Sequence, residues 1–230
     1  IQKQSDLKIV YSSIHGSGIM LVPQCLAYYG FKNVHIVEEQ REPNGDFPTV
    51  VYPNPEEKEA MTLALKTASE IDADLVMATD PDTDRVGIAV KNLQGEFELL
   101  NGNQTGSLLI YYIISQLKEK GSLPENGFIV KTIVTTNLIN DICKHFDVEC
   151  FDTLTGFKYI ATLIRDLEGK KKYIAGGEES YGYLIGDFVR DKDAVAACAM
   201  IAEMTAYVKE KGKTLYEWML EMYIEFGCYQ

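Results

Sequence analysis

Apolar and polar residues along this chain alternate in two rhythms. Short apolar runs of strand length give way to longer stretches in which apolar residues return every three or four positions. In the first hundred residues the runs LKIVYSS (7–13), NVHIV (33–37) and DLVMAT (74–79) read as strands. GIMLVPQCLAYYG (18–30) reads as a helix ending at Gly30, and PNPEEKEAMTLALKTASEID (53–72) as the clearest helix. There Asn54 is the expected N-cap, Pro55 takes the first helical position, and Glu57 closes a capping box. The acidic run Glu56–Glu59 then complements the helix dipole. VGIAV and EFELL flank the turn KNLQG and predict a hairpin. A helix over 103–121 leads into a second round: strand 128–134, helix 137–146, strand 148–152, helix 156–168, strand 172–176, then helices 193–211 and 214–226. This alternation predicts an α/β fold of two consecutive α/β/α domains, each a mixed, mostly parallel sheet flanked by helices. The division falls after the hairpin, giving residues 1–100 and 101–230, which suits a chain of 230 residues.

Composition narrows the partners. Thirty-four acidic against 22 basic residues leave a formal charge of -12, the wrong sign for a nucleic-acid footprint. The longest apolar run, LLIYYII at 108–114, is far short of the ~20 residues of a membrane span. Five scattered cysteines (25, 143, 150, 198, 228) form no C-x-x-C pair and read as free thiols of a reducing, cytoplasmic compartment. A strand-like start without Met and an abrupt C-terminus suggest a piece excised from a longer protein.

Chemistry concentrates in three segments. DPDTDR places Asp80, Asp82 and Asp84 at i, i+2 and i+4 with Arg85 next, just beyond an apolar strand. Three oxygens in one loop suit a hard divalent cation, and the carboxyl end of a buried strand is where open α/β sheets take ligands. Solvated loop carboxylates are the plain alternative. An EF-hand fits badly, because its turn glycine falls at Arg85 and its final Glu at Lys91. AGGEESYGYLIGDF offers Glu178, Glu179 and Ser180 as partners for sugar hydroxyls, with Tyr181 and Tyr183 able to pack on a ring. A polar hairpin with its aromatics in the core explains the same residues. DTLTGFKYI sets Lys158 at a helix start, as an anion contact, a proton carrier or a surface lysine. His15, in a glycine-rich turn, is as readily structural as functional. Arg190, Lys192 and Asp193 read as a salt-bridged helix entry. Other partial motifs fail: GSGIML has Leu21 at the third glycine of a dinucleotide fingerprint, and YVKEKGKT has Tyr207 at the first glycine of a P-loop.

Together these segments resemble the α-D-phosphohexomutases, the phosphoglucomutase/phosphomannomutase superfamily. DPDTDR is similar to that family's metal loop D-G-D-x-D-R, GEESYGY to its sugar loop, and TGFK to a further active-site loop. FPTVVYPNPEE and IHGSG are similar to its second domain. The resemblance covers the middle of a four-domain architecture, domains two and three. It implies a parent enzyme that interconverts hexose 1-phosphate and hexose 6-phosphate through a phosphoserine and a bisphosphate intermediate. Neither the serine loop nor the distal phosphate loop of the family occurs in this sequence, so the isolated chain is expected to be inactive. By position, Asp80, Asp82 and Asp84 hold Mg2+, with a phosphoserine oxygen completing the shell. Arg85 bears on the phosphoryl group, Glu178 and Ser180 bind hydroxyls of a glucose or mannose phosphate, and Lys158 is a general acid/base.

Three departures stand out. Pro81 replaces the family's glycine, Tyr181 separates Ser180 from Gly182, and Tyr183 stands where one branch has His. The first should stiffen the metal loop, and the two tyrosine features point toward the longer phosphoglucomutases or phosphopentomutases. An Asp-nucleophile phosphatase of haloacid-dehalogenase type is the other reading, with Asp80 attacking the phosphate, although Asp84 breaks that motif.

Overall fold

The computed structural model describes residues 4–229. Two sheets organise them. The first contains β1 (Ile9–Ser12), β2 (Val34–Ile36), β3 (Leu75–Thr79), β4 (Val86–Lys91) and β5 (Phe97–Leu100), in the order β2-β1-β3-β4-β5. β1 runs parallel to β2 and β3, while β3–β4 and β4–β5 are antiparallel, so this sheet divides evenly between the two senses. The second contains β6 (Gly127–Thr132), β7 (Glu149–Thr153), β8 (Lys172–Gly177) and β9 (Tyr183–Ile185), in the order β7-β6-β8-β9, antiparallel only at β9.

Seven helices complete the described fold: α1 (Val22–Tyr28), α2 (Thr62–Ile71), α3 (Gly102–Glu119), α4 (Leu138–His145), α5 (Phe157–Asp166), α6 (Ala194–Glu210) and α7 (Leu215–Phe226). Side-chain alternation along the strands decides where each packs. Val10, Val76, Ala78 and Ala89 point to a small cluster under α2, with Ala64 and Ala68. Phe128, Val130, Tyr173 and Leu184 meet Ile160 and Ile164 of α5. The opposite faces of both sheets converge on one continuous core. Ile9, Tyr11, Leu75, Met77 and Ile88 from the first sheet share it with Ile129 and Ala175 from the second. Between them lie Leu108 and Tyr112 of α3, Ile142 of α4, Ile201 of α6 and Met219 of α7. The layers therefore run α2, first sheet, shared helices, second sheet, α5. Two helices of this middle layer start on the same device: Asn101 and Thr214 each form a capping box, with Gln104 and Glu217 respectively.

Most of the expected elements form, with two corrections. The helix expected over 53–72 begins only at Thr62. Residues 54–62 instead form successive tight turns, with Glu57 N donating to Asn54 O and Ala60 N to Glu57 O. Asn54 Oδ1 accepts from Glu56 N and caps a turn, so neither the capping box nor the dipole role of the acidic run is realised; Glu59 instead accepts from Val51 N. Likewise the helix expected over 18–30 splits into a 3-10 turn, Ser17–Met20, and α1. The short strand β9 had no apolar alternation of its own to announce it.

Because one core joins both sheets, Ile88→Ala should cost about 2–5 kcal/mol and still give a single urea transition. Two separate transitions, by fluorescence and far-UV dichroism, would show that the halves unfold independently.

Candidate functional site

The site lies where the carboxyl ends of β3 and β8 face each other. β3 delivers Asp80 into a tight loop in which Asp80 Oδ1 accepts from the backbone amides of Asp84 (3.1 Å) and Arg85 (3.0 Å). Thr83 N donates to Asp80 O at 3.0 Å, with Thr83 held at φ 62. A non-glycine residue in the left-handed region is a strained choice that surrounding structure must hold in place. Here the holding group is the turn after β1. Ser17 N and Oγ both donate to Pro81 O, at 2.8 and 3.0 Å, and Ser17 Oγ meets Thr83 Oγ1 at 3.1 Å. The two turns are so close that a Cβ on Gly16 would fall 2.3 Å from Pro81 Cα, which explains the glycine.

This folding brings oxygens of Asp80, Asp82 and Asp84 within 4.8 Å of one another, from a buried Asp80 to an exposed Asp82. Burial, joined by the neighbouring Asp82 and Asp84 carboxylates, pushes Asp80 up to about 7, although its hydrogen bond from the Arg85 amide pulls the other way. Three hard oxygen donors on one rigid loop fit an oxygen-seeking divalent cation. Two side chains supply positive charge without one. Lys192 Nζ reaches Asp84 Oδ2 at 2.6 Å, and Arg85 Nε lies 3.8 Å from Asp84 Oδ1 and 4.0 Å from Asp80 Oδ2. Those last two separations exceed hydrogen-bonding range, and the buried Arg85 Nε has no hydrogen-bond partner. Lys192, which the sequence suggested as part of a plain helix entry, is the cation that ties the second half of the chain to the metal loop. Arg190 pairs with Glu168 and Asp193 caps α6.

The second loop, 178–182, docks directly on the first. Val86 N donates to Tyr181 O at 3.1 Å, and Ala194 N, at the start of α6, donates to Thr83 O at 3.1 Å. Lys192 reaches Asp84 by passing over Gly182, where a Cβ would lie 2.2 Å from Lys192 Cδ. Glu178, buried, accepts at Oε1 from Gly156 N at 2.9 Å, which binds this loop to the entrance of α5. Ser180 sits half-buried in the same loop, and Lys158 stands exposed on the first turn of α5 with Nζ 5.1 Å from the Tyr159 ring centre. The expected ring-stacking role of Tyr181 and Tyr183 is not available. Both are buried, and Tyr183 Oη donates to Gly102 O at 2.9 Å, so the aromatics hold the loop from beneath.

His15 is structural: its ring nitrogens meet Glu42 O (3.1 Å) and Thr49 Oγ1 (2.9 Å). Asn103 Oδ1 accepts from Thr136 N and fastens α3 to the turn after β6. Lys131 is the group that sequence reading passed over, and Glu179, expected as a partner for sugar hydroxyls, instead accepts from Thr132 and Thr135. Lys131 is almost wholly buried with Nζ against Asp152, a feature that apolar patterning around it conceals.

Known proteins share this arrangement. Residues 1–95 match the family model for phosphoglucomutase/phosphomannomutase α/β/α domain II, and residues 101–226 match that for domain III. Phosphoglucomutases from Staphylococcus haemolyticus and Staphylococcus aureus (strain USA300) are 39% and 37% identical over 99% of this chain, which spans 41% and 40% of their lengths. Among solved structures, a phosphoglucomutase/phosphomannomutase family protein from Burkholderia thailandensis superposes with a TM-score of 0.72 at 18% identity, covering 94% of this chain and 42% of that one. An Aspergillus fumigatus N-acetylphosphoglucosamine mutase, solved with GlcNAc-6P and magnesium, gives 0.57 at 15% identity, with 93% and 45% covered. The fold is that of a two-domain α/β/α segment of the phosphoglucomutase/phosphomannomutase type. This chain belongs to the phosphoglucomutase/phosphomannomutase family, as its domains II and III. The matches give no support to the haloacid-dehalogenase reading or to a phosphopentomutase. Among the described residues no helix is long and apolar enough to cross a membrane.

Asp80 yields a pH prediction. Its folded-state value lies above its ordinary 3.8, so its contribution to stability is complete below 3.8 and is lost as pH rises through about 7. Above that pH the three carboxylates repel most and a divalent cation relieves most. Saturating MgCl2 should therefore raise the melting temperature more at pH 8 than at pH 6, and the gain should shrink in Asp82→Asn. An equal gain at both pH values would count against this account of the loop.

Proposed function

We propose that this chain supplies two walls of the active cleft of a phosphohexomutase, dividing near residue 100 into a metal-binding and a sugar-binding domain. The parent protein interconverts the 1-phosphate and 6-phosphate of glucose or mannose. The observation that carries the reading is the direct docking of the two loops, through Val86 N to Tyr181 O and Lys192 to Asp84. It sets a candidate cation site beside a loop of sugar-binding groups at the carboxyl ends of two strands, and phosphoryl transfer needs little beyond such positioning and charge neutralisation.

In this reading Asp80, Asp82 and Asp84 hold Mg2+, which when bound supplies charge neutralisation at the transferring phosphoryl group. Arg85 faces the same group, since its buried Nε lacks a partner and its charge is only loosely matched by Asp80 and Asp84. Glu178 and Ser180 bind sugar hydroxyls; one Glu178 oxygen is already committed to Gly156 N, which fixes the direction of the other. Lys158, exposed at the mouth of α5, is the candidate proton carrier. Lys192 adds a second positive charge beside the phosphoryl path. The family's phosphoserine belongs to another part of the parent, so the partners of this chain are a phosphosugar and the remainder of its own polypeptide.

The full-length protein should convert glucose 1-phosphate or mannose 1-phosphate to the 6-phosphate in a Mg2+-dependent assay, while the 230-residue chain alone does not. Asp82→Asn should lower kcat/KM by roughly 100-fold or more. A full-length protein inert toward every hexose phosphate would refute the proposal.

A further inference from the structure

Glu179 lies between the two residues assigned to sugar binding and takes no part in that assignment. Its carboxylate is held by the turn that follows β6. Oε2 accepts from Thr132 Oγ1 and Thr135 Oγ1, both at 3.0 Å, and the two hydroxyls are 2.7 Å apart. Glu179 N donates back to Thr135 Oγ1 at 3.2 Å. Both threonines are buried. Beneath them Lys131, 1% exposed, holds the turn's backbone and flank: Nζ contacts Asp152 Oδ1 at 2.8 Å, Thr135 O at 3.1 Å and Asn137 Oδ1 at 3.4 Å. A buried ammonium is stable only with such a ring of acceptors, and each one fixes a piece of the turn.

We infer that Thr132, Thr135 and Lys131 are positioning residues for the sugar loop, acting through Glu179 to aim the neighbouring Glu178 and Ser180. This inference rests on the sugar-binding role proposed above for those two residues. The geometry has a mechanical logic. The loop from β8 to β9 must hold Tyr181 at φ 69, a left-handed conformation that its own sequence disfavours. Something has to hold it on each side. On one side Val86 N grips Tyr181 O; on the other the threonine pair grips Glu179. Only with both in place does Glu178 reach across to Gly156 N on a third loop. The turn after β6, remote in sequence from every motif of the site, therefore sets the aim of the sugar-binding carboxylate.

Amide hydrogen exchange on this chain tests the idea without substrate. The Gly156 amide is the reporter, because Thr135 forms no hydrogen bond to it. The turn's other link toward Gly156, Ile133 N to Thr153 O at 2.8 Å, is read separately at the Ile133 amide, which should stay unchanged. In Thr135→Val the exchange of Gly156 should quicken about tenfold, as expected when charge-assisted bonds that hold an anchor are lost. Thr135→Ser, which keeps the hydroxyl, should restore it. Thr132→Val, which removes one donor and leaves the bond from Glu179 N, serves if Thr135→Val does not fold, and should quicken Gly156 to a smaller degree. Faster exchange at Glu179 with Gly156 unchanged would overturn the proposal, since the anchor would then be local. In the full-length enzyme the same Thr135→Val should raise KM for the hexose phosphate more than it lowers kcat. An unchanged KM in an active enzyme overturns the positioning role, whereas inactivity of the unsubstituted enzyme refutes the mutase reading and leaves the exchange result to decide this one.

Discussion

Three carboxylates confined within 4.8 Å set the terms for the rest of this structure. Like charges so close, one of them buried, are tolerated only where positive charge and amide donors converge. The chain meets that demand from both of its halves. The loop's own amides turn inward on Asp80, and Arg85 follows at the rim. Lys192 arrives from more than a hundred residues away in sequence. Its arrival requires that α6 begin beside the aspartate loop and that the 178–182 loop be bare of a side chain at Gly182. The electrostatic need of one loop thus bears on the placement of another.

The shared helical layer makes this placement firm. Strands of both sheets send alternate residues into a core filled by α3, α4, α6 and α7, so the two loops are carried by a single packed body. Shifting one sheet against the other would break apolar packing across that whole layer. Distances such as the 3.1 Å from Val86 N to Tyr181 O are therefore properties of the core as much as of the loops.

Much of this was legible in the residues. The succession of strands in each round, the hairpin and most helices follow from periodicity, because their apolar faces are long enough to show a period. DPDTDR and GEESYGY stand out in the sequence as candidate chemistry because carboxylates and glycines beyond an apolar strand have few structural uses. What was hidden depends on tertiary context. Asn54 carries every local sign of a helix cap, yet residues 54–62 close into turns whose last members, Ala60 and Met61, are drawn into the cluster under α2. Tyr181 and Tyr183 look like sugar platforms until burial puts them under the loop. Lys192 and Lys131 are ordinary lysines in sequence; only the fold brings them to Asp84 and Asp152.

The common core also bears on how such a protein can be divided. The family boundary between residues 95 and 101 is a boundary of sequence descent. It is not a seam in the packing, since Leu7, Met77 and Ile88 on one side share a cluster with Ile129, Ile201 and Met219 on the other. Cutting the polypeptide there would bare two large greasy faces, each the complement of the other. Recombination between relatives at that point would therefore succeed only when both parents had kept matching faces. Over long times the two halves are constrained to change together.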